Sequence, residues 1–279
     1  MDFRDNVELD PSQVEDAGGG GGYSGGGGGF PGGVIIGGGG IVSLVVLVLV
    51  FVVNNLGSRG EPPQRRPPSN LSQQCQTGED ADQSEKCRVV GVVNSVQDYW
   101  KQEISEYRTA KTVLYSGRLR TACGTASSAV GPFYCPGEQR VFLDLSFFDQ
   151  LQSRFGAKGG PFSQAYVIAH EYGHHVQNVL GALRDGGSVA VELQADCYAG
   201  VWARNAVKTG FYEKPFTRAD IAEALDAAAA VGDDRIQQRT TGRIDPESFT
   251  HGSSAQRVNA FQRGYKNGRP GDCEQSALR

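Results

Sequence analysis

Residues 166–178 read YVIAHEYGHHVQN and hold three of the chain's four histidines, His170, His174 and His175, with Glu171 between them. The surrounding stretch, Phe162 to Gly181, has helical spacing. Ala165, Ile168, Ala169, Val176, Val179 and Leu180 are its apolar supports, and Gly181 is a stop. On a helix, His170 and His174 stand one above the other on the same face. Two imidazoles so placed can bind one zinc ion through ring nitrogens at about 2.0–2.1 Å. Glu171 lies about 100° around from His170, beside the metal rather than on it. There it can take a proton from a metal-activated water and pass it to a leaving amine. His175 points about 100° away from His174 and is expected to serve packing alone.

This is the H-E-x-x-H arrangement of zinc proteases, and alone it is incomplete. A catalytic zinc takes a third protein ligand and keeps a fourth position for water. Residues 191–203 read VELQADCYAGVWA, and Glu192 and Asp196 are again one helical turn apart. Glu192 can complete a His-His-Glu site. Asp196 can accept the free ring N–H of a ligand histidine and so fix its tautomer. Val189, Val191, Leu193, Val201 and Trp202 mark a helix packed on several sides. An unpaired carboxylate there would be costly unless a metal or a histidine balanced it. The competing view, two solvated helix faces, leaves those carboxylates unexplained. Cys197 follows Asp196 directly and points off the metal-facing side.

Around this pair of motifs the chain has 279 residues and a formal net charge of −4. Charges of both signs are mixed, no basic stripe exists, and nucleic acid is not an expected partner. The first 33 residues are expected to form a flexible leader: Asp2 to Asp16 is acidic and Gly18 to Gly33 almost pure glycine. Val34 to Val53 carries no charge over 20 residues, enough to span a bilayer once as a helix. Residues 54–86, with Pro62, Pro63, Pro67 and Pro68, are expected to form a polar stalk, and 87–279 the folded domain. Arg59, Arg65 and Arg66 follow the apolar stretch and only Arg4 precedes it, which favours a cytoplasmic domain. The six cysteines favour an oxidising compartment, and an extracytoplasmic domain is the expectation adopted.

The stretches AYVIAHEYGHHVQNVLG and ELQADCYAGVWA together resemble the membrane-anchored neutral zinc metallopeptidases. So do SQVED at Ser12 to Asp16, GPFYCP at Gly131 to Pro136, VFLDLSFF at Val141 to Phe148 and SFTHGSSAQRV at Ser248 to Val258. The motif pair also resembles the wider gluzincin group. The resemblance implies a zincin-like domain, a zinc ion on His170, His174 and Glu192, and Glu171 as general base. By similarity to the T-H-x-S segment of gluzincins, His251 is expected to stabilise the oxyanion, with Arg257 as its orienting partner; the alternative is that His251 caps a turn before the helix containing Arg257 and Phe261.

Val141 to Leu145 alternates in strand fashion and is expected to form the edge of the substrate cleft. Proximity in sequence suggests disulfides Cys75–Cys87 and Cys123–Cys135, leaving Cys197 for Cys273, one of fifteen possible connectivities. Asp220 to Val231 is expected to be a supporting helix. The sequence therefore points to an α+β, predominantly α, zincin-like domain behind one transmembrane helix. Its expected activity is that of a single-zinc endopeptidase on peptide or protein substrates. A membrane-tethered binding module with a catalytically silent zinc site is the alternative. Oligomeric state has no signature in the sequence.

Overall fold

The structure, a computed structural model, describes residues 1–19, 70–127, 130–183 and 188–278. The strands are β1 (Val14–Gly19), β2 (Lys111–Ser116), β3 (Arg118–Thr121), β4 (Gly124–Ser127), β5 (Phe133–Cys135) and β6 (Arg140–Leu143). The helices are α1 (Leu71–Gln74), α2 (Gly78–Gln83), α3 (Glu85–Glu103), α4 (Ser146–Ser153), α5 (Pro161–Val179), α6 (Ser188–Asn205), α7 (Arg218–Ala230), α8 (Asp233–Thr240) and α9 (Ser254–Asn267). This is a predominantly helical α+β body with a small sheet, as the sequence leads one to expect.

Four strands make one sheet in the order β1-β2-β6-β5, parallel except for the antiparallel β5–β6 pair. Its side chains alternate between two buried faces. Leu114, Tyr134, Val141 and Leu143 join the main core with the helices. Val113, Tyr115, Phe133 and Phe142 join a second cluster that includes Leu119 and Ala126 of the β3–β4 hairpin.

Two of the expected boundaries change. The first 19 residues are part of the folded body, not a free leader. Phe3, 1% exposed, sets its ring 4.7 Å from that of Tyr212. The Asp10 N–H donates to Asn94 Oδ1 at 2.7 Å, and Asn94 Nδ2 returns a bond to the Asp10 carbonyl at 3.0 Å. SQVED runs into β1, which supplies the sheet with its outer parallel strand. The acidic composition hid this, because only Phe3, Leu9 and Val14 are buried hydrophobic residues there, with Met1 and Val7 partly buried against the core. Residues 70–86, expected as stalk, instead form α1, α2 and the start of α3. Cys75 and Ala81 are fully buried there, and a Thr77/Asp80 capping box opens α2.

The apolar stretch 34–53 lies outside the described residues. Among the described residues no helix is long and apolar enough to cross a membrane. The β1–β2 pairing nevertheless constrains the topology. A chain that crosses a bilayer once between residues 20 and 69 would leave β1 and β2 on opposite sides.

The three disulfides are Cys75–Cys87, Cys123–Cys135 and Cys197–Cys273, the pairing that sequence proximity suggested. Helix crossings at glycine set the geometry of the site. A Cβ on Gly173 of α5 would come within 2.9 Å of the Ala195 backbone, so glycine lets α5 lie against α6. Gly264 of α9 likewise meets the Cys197 carbonyl of α6, with no room for a side chain. These contacts bring α5, α6 and α9 together over one point.

Candidate metal centre and active site

His170 and His174 project from α5 and Glu192 from α6, all nearly buried, and their donor atoms converge. The two Nε2 atoms are 3.2 Å apart, and the Glu192 carboxylate lies 3.2 Å from His170 Nε2 and 3.5 Å from His174 Nε2. Each histidine has its other nitrogen engaged: His170 Nδ1 with Asp196 Oδ1 at 2.8 Å, His174 Nδ1 with Gln177 Oε1 at 2.8 Å. Both acceptors are oxygens, so both rings carry hydrogen on Nδ1. Their Nε2 lone pairs therefore face each other, beside a carboxylate.

Donor atoms gathered this closely fit around a cation. Tetrahedral coordination with bonds of about 2.0–2.1 Å sets ligand atoms roughly 3.3 Å apart. The observed spacings fit that value, and Glu192 Oε2 is buried without a hydrogen-bond partner. Two imidazoles and a carboxylate suit zinc. On the protein alone, burial opposes a charge on His170, but the Asp196 and Glu192 carboxylates outweigh it and lift the ring to about 10. Burial would raise Glu192 too, yet the two histidines hold it well below the usual carboxylate range. The three groups thus seek positive charge between them.

Glu171 sits beside this centre and is not part of it. Burial pushes its carboxyl up, the neighbouring Glu192 adds to the push, and the two ligand histidines oppose it. The Tyr134 backbone N–H donates to the carboxylate, while Oε2 has no partner among the described residues. A carboxylate raised in this way and left with one open oxygen is suited to exchanging protons.

Asp196, fully buried, is the hub behind His170. It accepts from the Tyr166 hydroxyl at 2.6 Å, from His170 Nδ1, and from Arg257 Nε and Nη2 at 2.8 and 3.0 Å. Burial alone would raise it, but Arg257 and His170 bring it down to about 2. Arg257 is therefore not the orienting partner of His251. That role falls to Asp233 at the start of α8, whose Oδ1 lies 3.0 Å from His251 Nδ1 and whose Oδ2 accepts the His251 backbone N–H at 2.7 Å. His251 Nε2 has no partner among the described residues, and the ring shares one cavity wall with His170 and Glu171. Tyr166 and Arg257 also line that cavity, and the rest of its wall is apolar, with Phe147, Phe155, Val167, Val231 and Ile236.

The cleft-edge expectation needs correction. β6, which holds Val141 to Leu143, lies inside the sheet between β2 and β5. The strand next to the site is β5, whose Tyr134 N–H reaches Glu171. His175 is a core histidine. It donates from Nε2 to the Arg108 carbonyl at 2.6 Å and accepts the Tyr134 hydroxyl on Nδ1 at 2.9 Å.

Sequence reasoning missed Tyr166, Gln177, Gln194 and Asp233. Tyr166 and Gln177 carried a usable signal, standing four before His170 and three after His174 on the ligand-bearing face. Gln194 and Asp233 carried none.

A buried pair of histidines and a glutamate, beside a second carboxylate with one open oxygen, is a donor set that suits a zinc hydrolase. The chain belongs to the family described as "putative neutral zinc metallopeptidase", which it matches over residues 1–276. It is 52% identical over 216 residues to the uncharacterized protein Rv2575 of Mycobacterium tuberculosis (strain ATCC 25618 / H37Rv), covering 72% of this chain and 74% of that one. It is 44% identical over 200 residues to the uncharacterized protein YpfJ of Escherichia coli (strain K12), covering 65% and 68%. No solved structure matches it significantly.

Proposed function

We propose that the chain is a zinc-dependent endopeptidase holding one zinc ion on His170, His174 and Glu192. The observation that carries the reading is the convergence of two Nε2 lone pairs and the Glu192 carboxylate beside the unengaged oxygen of Glu171. Zinc held there would supply Lewis acidity for a peptide carbonyl and for the attacking water. Glu171 takes the proton from that water and delivers it to the departing amine. His251, held through Nδ1 by Asp233, lines the cavity with its Nε2 unpartnered, in the place for a hydrogen bond to the developing oxyanion. β5 offers an edge on which an extended substrate can pair, and the apolar cavity beside Glu171 receives an apolar side chain next to the scissile bond.

The test is cleavage of casein by the purified full chain in detergent, with metal analysis of the same sample. The expected result is one zinc per chain and cleavage abolished by a chelator. His251→Ala should cut kcat by roughly 10²–10³-fold with zinc retained. A zinc-loaded chain with no cleavage would favour the membrane-tethered binding module. An unaffected His251→Ala would remove that residue from the mechanism.

The proposed location is the outer face of the cell membrane, supported by three disulfides and by the apolar sequence 34–53. The β1–β2 pairing adds a condition to this location: residues 1–19 and 70–278 share one side of the membrane. Tags at residues 1 and 279 are expected to show the same protease accessibility in intact spheroplasts. Opposite accessibility would restore the single crossing and overturn the β1–β2 pairing.

A further inference from the structure

The two ligand histidines are backed by different chemistry. His170 rests on the charged Asp196–Arg257 pair, whereas His174 rests on a chain of neutral amides that leads away from the site. Gln177 Oε1 takes the His174 Nδ1 hydrogen. The Gln177 amide nitrogen donates to the Val191 carbonyl at 2.7 Å and to Gln194 Oε1 at 3.0 Å. The Gln194 amide nitrogen in turn donates to the Cys273 carbonyl at 2.8 Å, and Gln275 Nε2 donates to Gln194 Oε1 at 3.0 Å. Gln177 and Cys273 are fully buried, and Gln194 is nearly so.

The direction of every bond in this chain is forced. A backbone carbonyl only accepts, so the Cys273 oxygen turns the Gln194 nitrogen toward itself and Gln194 Oε1 toward Gln177. Gln177 must then present its nitrogen to Gln194, in agreement with the Val191 carbonyl, and its oxygen to His174. That leaves His174 with hydrogen on Nδ1 and a lone pair on Nε2, the tautomer a metal requires. The outer end of the chain is not part of any long element. Cys273 belongs to a short 3-10 turn, Pro270–Cys273, and a disulfide fastens it to Cys197 on α6, the residue after Asp196. This bond crosses 76 residues of sequence to bring the tail under the metal centre.

We propose that Gln177 and Gln194 are positioning residues for His174, and that the Cys197–Cys273 disulfide buttresses them, so zinc retention depends on that disulfide. The inference rests on the zinc reading above. It gives the C-terminal tail, remote from the H-E-x-x-H motif in sequence, a part in metal binding. It also distinguishes Cys197–Cys273 from Cys75–Cys87, which ties α1 to α3 away from the site.

The experiment measures zinc affinity of the full chain by competition with a chromogenic chelator, and the visible spectrum of the cobalt-substituted protein. The variants are Gln177→Met, Gln194→Met, the pair Cys197→Ala/Cys273→Ala, and the pair Cys75→Ala/Cys87→Ala. Loss of an outer contact to a ligand histidine weakens metal binding about 10–100-fold. Gln177→Met is expected in that range, with Gln194→Met and Cys197→Ala/Cys273→Ala near its lower end, each with a shifted cobalt spectrum. Cys75→Ala/Cys87→Ala should bind zinc as the wild type does, with an unchanged spectrum.

Wild-type affinity and spectrum in Gln194→Met or Cys197→Ala/Cys273→Ala would overturn the proposal. So would equal weakening by Cys75→Ala/Cys87→Ala, which would mark a general loss of stability. If Cys197→Ala/Cys273→Ala does not fold, Gln194→Met decides with the disulfide intact. A wild-type chain that takes up no zinc would sink the peptidase reading and this inference together, so the wild-type titration tells the two failures apart.

Discussion

Glu171→Gln is expected to abolish peptide hydrolysis while the chain keeps its zinc and its fold. General acid–base catalysis contributes about 10²–10⁴-fold. In the proposed mechanism one carboxylate serves both the attacking water and the leaving amine, so the loss should reach roughly 10⁴-fold, the upper end of that range. Zinc should stay because Glu171 is not among the converging ligand atoms. The amide matches the carboxylate in shape, and its oxygen can still accept the Tyr134 N–H. Stability should rise slightly, because burial already pushes the Glu171 carboxyl up and the variant removes a charge held out of water at a cost. Higher Tm with lost turnover is the signature of a group kept for chemistry rather than for folding. The measurement is kcat/KM on a peptide substrate beside zinc content and a thermal melt. Turnover within tenfold of wild type would remove Glu171 from the role of base.

How much of this was legible in the sequence depended on whether the information lay along one element. His170, Glu171 and His174 belong to a single helix, and little more than one turn of that helix fixes their relative directions without reference to the rest of the chain. Glu192 and Asp196 were readable for the same reason on α6, and the incompleteness of each motif pointed to the other. Asp233 was not readable. Its bond to His251 spans 18 residues and depends on how α8 meets the turn before α9, which no periodicity encodes. Arg257 was placed near the right chemistry but on the wrong partner. Periodicity shows that it lies on a buried face of α9, not which of two nearby groups it meets.

The N-terminal segment failed for a different reason. Composition predicts disorder when a segment lacks apolar area to offset its ordering entropy. Three side chains, Phe3, Leu9 and Val14, supply that area here because the body offers each a ready place. A strand that completes a sheet also gains backbone hydrogen bonds that composition does not count. Gly173 had a further meaning that the motif alone does not carry. It reads as the neutral x of H-E-x-x-H, yet it is where α5 and α6 touch, so it sets the distance from the histidines to Glu192.

Asp196→Asn should be the most damaging single change outside the ligands and Glu171, and it should act on two properties at once. The carboxylate receives four donor atoms: the Tyr166 hydroxyl, His170 Nδ1, and Nε and Nη2 of Arg257. An asparagine offers one oxygen and turns an NH2 group toward donors. It also leaves Arg257, nearly buried, with no opposing charge in contact. Breaking a buried pair from one side costs about 3–5 kcal/mol. In a chain of this size that lowers Tm by roughly 10 °C or more. Separately, His170 loses the acceptor that fixes its tautomer, and zinc affinity should fall about 10–100-fold. The double variant Asp196→Asn/Arg257→Met separates these effects. Removing the stranded guanidinium should restore much of the melting temperature, since buried ion pairs are replaceable by apolar groups of similar size. It should not restore zinc affinity, because His170 still lacks its carboxylate. A single variant that binds zinc as the wild type does, or a double variant that recovers both properties together, would show that Asp196 serves only the fold.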